Sequence, residues 1–486
     1  MSTPSRPWRA ALDDIDQRFG DQVDRLVCAH HHRRLDRLGW SEVLSETPGD
    51  GQDVRPAREG NRVQVLVDGE EALAAMAEAI AGATSHVHIA GWFASPHFRP
   101  TRGPGAPTLA ELLASVAERV PVRLLLWAGP PAPVFKPTRR MTKAAREDFL
   151  RDSKVRCVLD RRERTMHCHH EKIVVVDDEV AFVGGIDFTD LAGDRLDSSA
   201  HSPDRVLGWH DAATRLHGPI VADVAAHFAQ RWSEVAVETL PEPVVQPPAG
   251  TTAVQLVRTV PERTYKFAER GEFTILQAYL SALRSARSLV YLENQFLWSS
   301  EVVDVLVDKL LRPPQEDFRL LVLLPTRPND GADTTRGQLG RLIDADAGNG
   351  RLLAVTVNSH SADKTAPLYV HAKVGIVDDA WLTVGSANLN EHSLFNDTEV
   401  NVIIRDPDQV RATRLRLWSE HLQLTETEVS GEPATVIDTL WRPTATEQAF
   451  LDQAGSPRTH RLILLENLSR RAERLQGPLR GLLVDG

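Results

Sequence analysis

Cysteine, long apolar runs and positive charge are all in short supply in this chain. Only three cysteines occur, Cys28, Cys157 and Cys168, an odd number with no ligand-like spacing. That argues against a disulfide framework and suits a reducing compartment. Nowhere do about 18 consecutive apolar residues occur, and the opening stretch "MSTPSRPWRAALDDIDQRFG" holds no apolar core. Neither a standard secretion signal nor a membrane span is therefore expected. Lys and Arg total 56 against 67 Asp and Glu, a net charge of −11, where binding nucleic acid over the whole surface calls for a basic stripe. No carboxylate or cysteine cluster has the spacing of a metal site, so neither metal nor cofactor is expected. What is present, 42% apolar and 25% charged residues over 486 positions, describes a globular chain too long for one ordinary compact domain.

Internal similarity resolves the length. "HEKIVVVDDEVAFVGGID" at 170 to 187 recurs as "HAKVGIVDDAWLTVGSAN" at 371 to 388, with His, Lys, Asp and Gly all displaced by 201 positions. The flanks repeat as well: "VQVLV" at 63 with "VQLV" at 254, "HVHIAGWF" at 86 with "LVYLENQF" at 289, and "VRLLLWAGP" at 122 with "FRLLVLLP" at 318. Each copy alternates short β-rich runs with helical patterns such as 70 to 83 and 274 to 286, which predicts an α/β sheet with helices on its faces. The expected divisions are a helical extension over 1–60, a first half over 61–237, a proline-rich crossing over 238–252, a second half over 253–425 and a helical extension over 426–486.

The repeated stretch reads as a hairpin. Side chains alternate along a strand, so His170 and Lys172 share one face while Glu171 and Ile173 share the other. "DDE" at 177 to 179 marks the turn, and the returning strand ends in Gly-Gly, or Gly-Ser in the second copy, where backbone or ligand can approach closely. A histidine and a lysine presented together suit an oxyanion such as phosphate, the lysine neutralising charge and the histidine moving protons or attacking phosphorus. Two such hairpins suggest one site between the halves, with one histidine as nucleophile and the other as general acid.

H-x-K-x4-D-x6-G-(G/S) twice in one chain resembles the phospholipase D superfamily, over roughly residues 60 to 425. The resemblance implies an α/β fold of two duplicated sandwich halves packed face to face, with both motifs at one interfacial site. It also implies a covalent phosphohistidine, with His170 as nucleophile and His371 protonating the leaving alcohol before water or another alcohol releases the phosphatidyl group. Lys172 and Lys373 hold the phosphate oxygens. Asn388 in "GSAN" matches a phosphate-binding asparagine, but its counterpart is Asp187, whose carboxylate would repel phosphate and is left out. Glu399 matches an acid that orients a catalytic imidazole, and Asp211 in "GWHDAATRLHGP" is the first-half candidate. The motif brings Asp177 and Asp378 into the candidate catalytic set, although a place at the turn argues against contact with substrate.

The segments around 183–190, 208–232 and 289–296 are similar to eukaryotic-type phospholipases D. Phospholipid is then the expected substrate and water or an alcohol the acceptor, for a cytoplasmic monomer in peripheral contact with a membrane and with no nucleic-acid partner. Cardiolipin synthases are the nearest rival, though they usually carry N-terminal membrane helices; the family's nucleases are typically single-motif chains that dimerise, and its tyrosyl-DNA phosphodiesterases lack the motif aspartate. A catalytically idle binding module is the alternative of another class. His167 and His169 have no repeat partner and count as neighbours of the strand. "HHHRR" at 30 to 34 is read as a solvated helical face, Trp92, Phe93, Phe296 and Trp298 as packing or pocket wall, and the insert at 191 to 208 as a lid.

Overall fold

The computed structural model describes residues 22, 25–45, 55–131, 136–163, 167–204, 206–326, 332–361 and 364–465. The opening stretch, residues 46–54 of the expected N-terminal extension and the last 21 residues lie outside them.

The two halves repeat one strand order. In the first, Arg156–Asp160, Val122–Trp127 and Val87–Gly91 run parallel, followed antiparallel by Ile173–Val176, Val180–Gly184, Ala212–His217 and Arg58–Val67. In the second, Leu352–Ser361, Arg319–Leu323 and Leu289–Glu293 run parallel, followed antiparallel by Val374–Val377, Trp381–Gly385, Glu399–Ile404 and Thr252–Val260. The parallel pairs require crossovers, and the helices Leu109–Ala117 and Ser300–Leu311 occupy equivalent places in the two crossovers. Arg58–Val67 also pairs with Thr252–Val260, stitching one sheet to the other.

Each sheet buries both faces. On the outer face of the first, helix Asp68–Ala81 presents Ala72, Leu73, Met76 and Ile80, a helical spacing that forms one stripe. Helix Thr274–Ser285 does the same with Ile275, Leu276, Tyr279, Leu280 and Leu283 on the second. The inner faces share one core, in which Val175, Val183 and Leu216 join Tyr291, Val374, Val384 and Val400. Helices Ile220–Val235 and Pro407–Leu422 add Phe228, Trp232, Leu417 and Trp418.

The hairpin turns are built by aspartates. Asp177 and Asp178 (φ 59° and 57°), like Asp378 and Asp379 (φ 53° and 50°), take the left-handed conformation that suits a tight antiparallel return. Asp177 accepts from the backbone N–H of Thr84, Ser85 and His86, and Asp378 from those of Arg287, Ser288 and Leu289. Including these two aspartates in the catalytic set is thus a misassignment. They tie each hairpin tip to the preceding strand, at the end away from the histidines.

Three other expectations change. In "HHHRR", His31 and Arg34 are buried: His31 stacks on Phe395 at 3.9 Å, and Arg34 forks onto Glu262. Only His30, His32 and Arg33 are exposed, so the N-terminal helix packs on the second half although it precedes the first. The C-terminal region contributes a strand, Leu462–Leu464, to the edge of the second sheet besides its helices. The 191–208 insert is pinned rather than lid-like: Arg195, Asp197 and His201 are buried, and Asp194 bridges to Gly208.

Glu171 shows the other face of the motif strand. It points away from Lys172 into a buried network with His227 (2.6 Å) and Arg231, whose guanidinium also reaches Asp160 at 2.7 Å. Burial pushes the Glu171 carboxyl up, but Arg231 and His227 outweigh it and hold the group at about 2. Removing the guanidinium takes the shared counter-charge from two buried carboxylates, leaving Glu171 with His227 and Asp160 with Tyr265 and His169. Arg231→Met should therefore destabilise the fold by about 3–5 kcal/mol, read from the urea midpoint; a loss below about 1 kcal/mol would show that the carboxylates find other partners.

Candidate active site

Both motif strands are led in by a contact with the opposite half. The backbone N–H groups of His170 and Glu171 donate to Thr398 O, and those of His371 and Ala372 donate to His210 O. The symmetry seats each histidine beside the other half's acid. His170 Nδ1 lies 3.0 Å from Glu399 Oε1, and His371 Nδ1 lies 2.6 Å from Asp211 Oδ2. Both imidazoles thus use Nδ1 on a carboxylate, which orients Nε2 away from it. Glu399 is itself held by the hydroxyls of Ser386 and Ser393.

The lysines are placed by their own strands and held unequally. Lys172 donates to His170 O and sits 3.3 Å from Asp187 Oδ2. Asp187 accepts from Trp92 N–H at 3.2 Å, so it anchors the preceding strand and balances Lys172, a role consistent with leaving it out of the phosphate contacts. In the second half Lys373 and Asn388 both donate to Gln295 Oε1, at 3.2 and 3.3 Å. Replacing a carboxylate by an amide leaves that side more positive.

The second glycine of the first motif serves the acid rather than a ligand. A Cβ on Gly185 would meet Asp211 Oδ1 at 2.2 Å, so only glycine leaves the carboxylate its place beside His371.

Four of the groups converge on His371. Burial first, then the positive charges of Lys373, Arg195 and Lys172 with the neighbouring His170, hold its imidazole well below the usual histidine range. Asp211 is pushed up to about 6 by burial. Burial also raises Glu399, with His170 opposing the shift. A site so positive and so dry favours an anion that neutralises it.

Arg195 was not singled out by sequence. It is buried, lies 3.8 Å over the Trp209 ring, and interacts with Asp187 and Asp211. Its Nε and Nη1 make no hydrogen bond, and Trp209 itself packs 4.5 Å from the His371 ring. Arg195 is a third cation at the site, supplied by an insert without a counterpart in the second half, so the repeat gave no signal for it. Gln295 was equally missed, since its repeat partner is the unlike Trp92. Trp92 does reach the site, 6.4 Å from the His170 ring, whereas Trp298 packs near His392. His169 bonds Thr398 and lies 3.2 Å from Asp160, while His167 pairs with His392; neither bonds the catalytic pairs.

Comparison with known proteins matches each repeat separately. A family model described as phospholipase D matches residues 79–208, and one described as cardiolipin synthase, phospholipase D-like domain, matches 279–418. Phospholipase D A of Dictyostelium discoideum is 27% identical over 76% of this chain and 36% of its own length. Phospholipase D alpha 1 of Arabidopsis thaliana is 27% identical over 72% and 63%, and phospholipase D2 of Bos taurus 25% over 81% and 56%. The chain thus spans between about a third and two thirds of these relatives. The crystal structure of phosphatidylserine synthase from Haemophilus influenzae superposes with a TM-score of 0.55 over 84% of this chain and 98% of the other, at 13% identity, which shows the shared fold. With one match on each repeat and the duplicated fold around them, the chain belongs to the phospholipase D superfamily.

Proposed function

We propose that the protein cleaves or transfers the phosphatidyl group of phospholipids through a covalent phosphohistidine. One observation carries this reading: two imidazoles, each fixed through Nδ1 by the opposite half's carboxylate, meet with two lysines in one buried, positive site. In the first step His170 Nε2 attacks phosphorus; the new P–N bond forms as the P–O bond to the headgroup breaks, and His371 gives its proton to the departing alcohol. Lys172, Lys373, Asn388 and Arg195 hold the non-bridging oxygens, whose negative charge offsets the repulsion that keeps His371 neutral in the free protein. In the second step His371 takes a proton from water or an alcohol, which attacks phosphorus and frees His170.

A second reading exchanges the histidines. The depressed His371 is biased toward the neutral form a nucleophile needs, while His170 sits against Glu399 and Ser386 O. The adduct experiment in the Discussion separates the two.

A lipid is favoured over nucleic acid because DNA binding depends on a cationic surface, whereas this chain carries −11. Among the described residues no helix is long and apolar enough to cross a membrane. Peripheral contact is supported by Val206 and Leu207, exposed apolar residues that lead into the strand Gly208–His210 beside the site. The test is to incubate the pure protein with mixed phospholipid vesicles, with and without a primary alcohol, beside a single-stranded DNA arm. Phosphatidic acid is expected without the alcohol, and phosphatidyl alcohol with it if transfer competes. Faster turnover of DNA than of any lipid would overturn the proposal.

A further inference from the structure

Behind Asp211 lies a second cluster with different chemistry. Asp68, His201, His210 and Glu420 each bring one donor atom to a common point, all within 4.8 Å of one another. His201 Nε2 lies 3.2 Å from Asp68 Oδ2 and 3.2 Å from Glu420 Oε1; His210 Nδ1 lies 3.0 Å from Asp68 Oδ1 and 3.6 Å from Glu420 Oε1. Ligands about 2.0–2.2 Å from a tetrahedral zinc ion sit roughly 3.3 Å from each other; the four nitrogen–oxygen contacts here, two of them shared between the two oxygens of Asp68, scatter about that value from 3.0 to 3.6 Å.

The outer contacts point the same way. Each imidazole turns one nitrogen to the cluster and offers the other to a carboxylate: His201 Nδ1 is 3.0 Å from Asp197 Oδ2, and His210 Nε2 is 2.8 Å from Glu293 Oε2. A metal-bound histidine almost always has such a partner, which fixes its tautomer. Asp68 Oδ2 is buried and makes no hydrogen bond, although His201 approaches it. Both imidazoles and the Asp68 side chain are inaccessible to solvent, and the Glu420 side chain is 8% exposed.

We propose that Asp68, His201, His210 and Glu420 form a structural site for a tetrahedral divalent transition metal, zinc being the ion this donor set suits best. Two neutral nitrogens and two carboxylates balance a doubly charged ion. Four protein ligands leave no open position, which separates a structural from a catalytic site. The ligands come from the start of helix Asp68–Ala81, the 191–208 insert, the strand immediately before Asp211, and helix Pro407–Leu422 of the other half. The ion would lock the insert that carries Arg195 and the strand that carries Asp211, and so hold two groups of the active site. Without it, the two carboxylates need two protonated imidazoles instead, and that is the arrangement the test must exclude.

The full chain is stripped of metal by chelator in mild denaturant, refolded, and divided between buffer, zinc and cobalt(II). About one zinc per chain should survive desalting, zinc should raise Tm by at least about 3 °C, and cobalt should give the strong visible bands of a tetrahedral ion. Glu420→Gln and His201→Asn should each lower zinc retention at least tenfold. Should either fail to fold, the zinc-dependent Tm and cobalt spectrum of the unaltered chain decide the matter. Retention below about 0.1 zinc per chain with an unmoved Tm would overturn the site, as would zinc held equally by both variants.

Discussion

Alanine at 170 should abolish the covalent intermediate, whereas alanine at 371 should leave it detectable with the right substrate. Losing general-acid help costs about 10²- to 10⁴-fold on a poor leaving group and far less on a good one such as nitrophenolate. With an activated diester the His371→Ala protein should accumulate a phosphoryl-enzyme, because the imidazole that activates the incoming water is gone. His170→Ala should give none on either substrate. The arrangement makes this a clean comparison, since each histidine is fixed by a different acid through Nδ1 and neither bonds the other. Mass spectrometry after acid-free quenching locates the adduct. Phosphate on His371 in the His170→Ala protein, with none on His170 in the reciprocal variant, would exchange the roles, the outcome that the depressed His371 favours.

The parts of the site visible in sequence are those that repeat. His170 with Lys172 and His371 with Lys373 are legible because a strand's alternation presents each pair together and because the copies align. Asp177 and Asp378 repeat just as faithfully, but for turn geometry, so repetition marks what the fold needs as well as what the chemistry needs. Glu399 and Asp211 were found as acids, yet their crossing was hidden: each serves a histidine at least 160 positions away, and only the facing of the halves creates that contact. Arg195 and Gln295 lay beyond reach because nothing in the other copy resembles them. The same holds for Asp68, His201, His210 and Glu420, whose spacing along the chain resembles no ligand motif and which meet only because the insert and a helix of the other half fold onto one strand. The buried His31 and Arg34 teach the converse, since local composition suggested solvent where Glu262 and Phe395 were waiting.

Amides at the two acids should block different steps, and that difference follows from the tautomers. In Glu399→Gln the new amide N–H can donate to His170 Nδ1, which drives the ring proton to Nε2 and removes the lone pair that must attack. A carboxylate-to-amide change that leaves geometry intact but fixes the wrong tautomer costs on the order of 10⁴-fold in a comparable histidine relay, and no adduct should form even with a good leaving group. In Asp211→Asn the same change places a proton on His371 Nε2, the atom a general acid needs protonated, so the first step on an activated diester should survive. The second step should not, because that nitrogen can no longer accept a proton from water, and the adduct should persist. Stability need not confuse the two, since both substitutions keep the side chain's size and the carboxylates they replace are already disfavoured by burial. The decisive measurement is the ratio of adduct formation to adduct breakdown in each variant on nitrophenyl and natural substrates. Equal loss of both steps in both variants would mean that the acids merely hold the halves together, while a persistent adduct in Glu399→Gln would place the nucleophile on the other histidine.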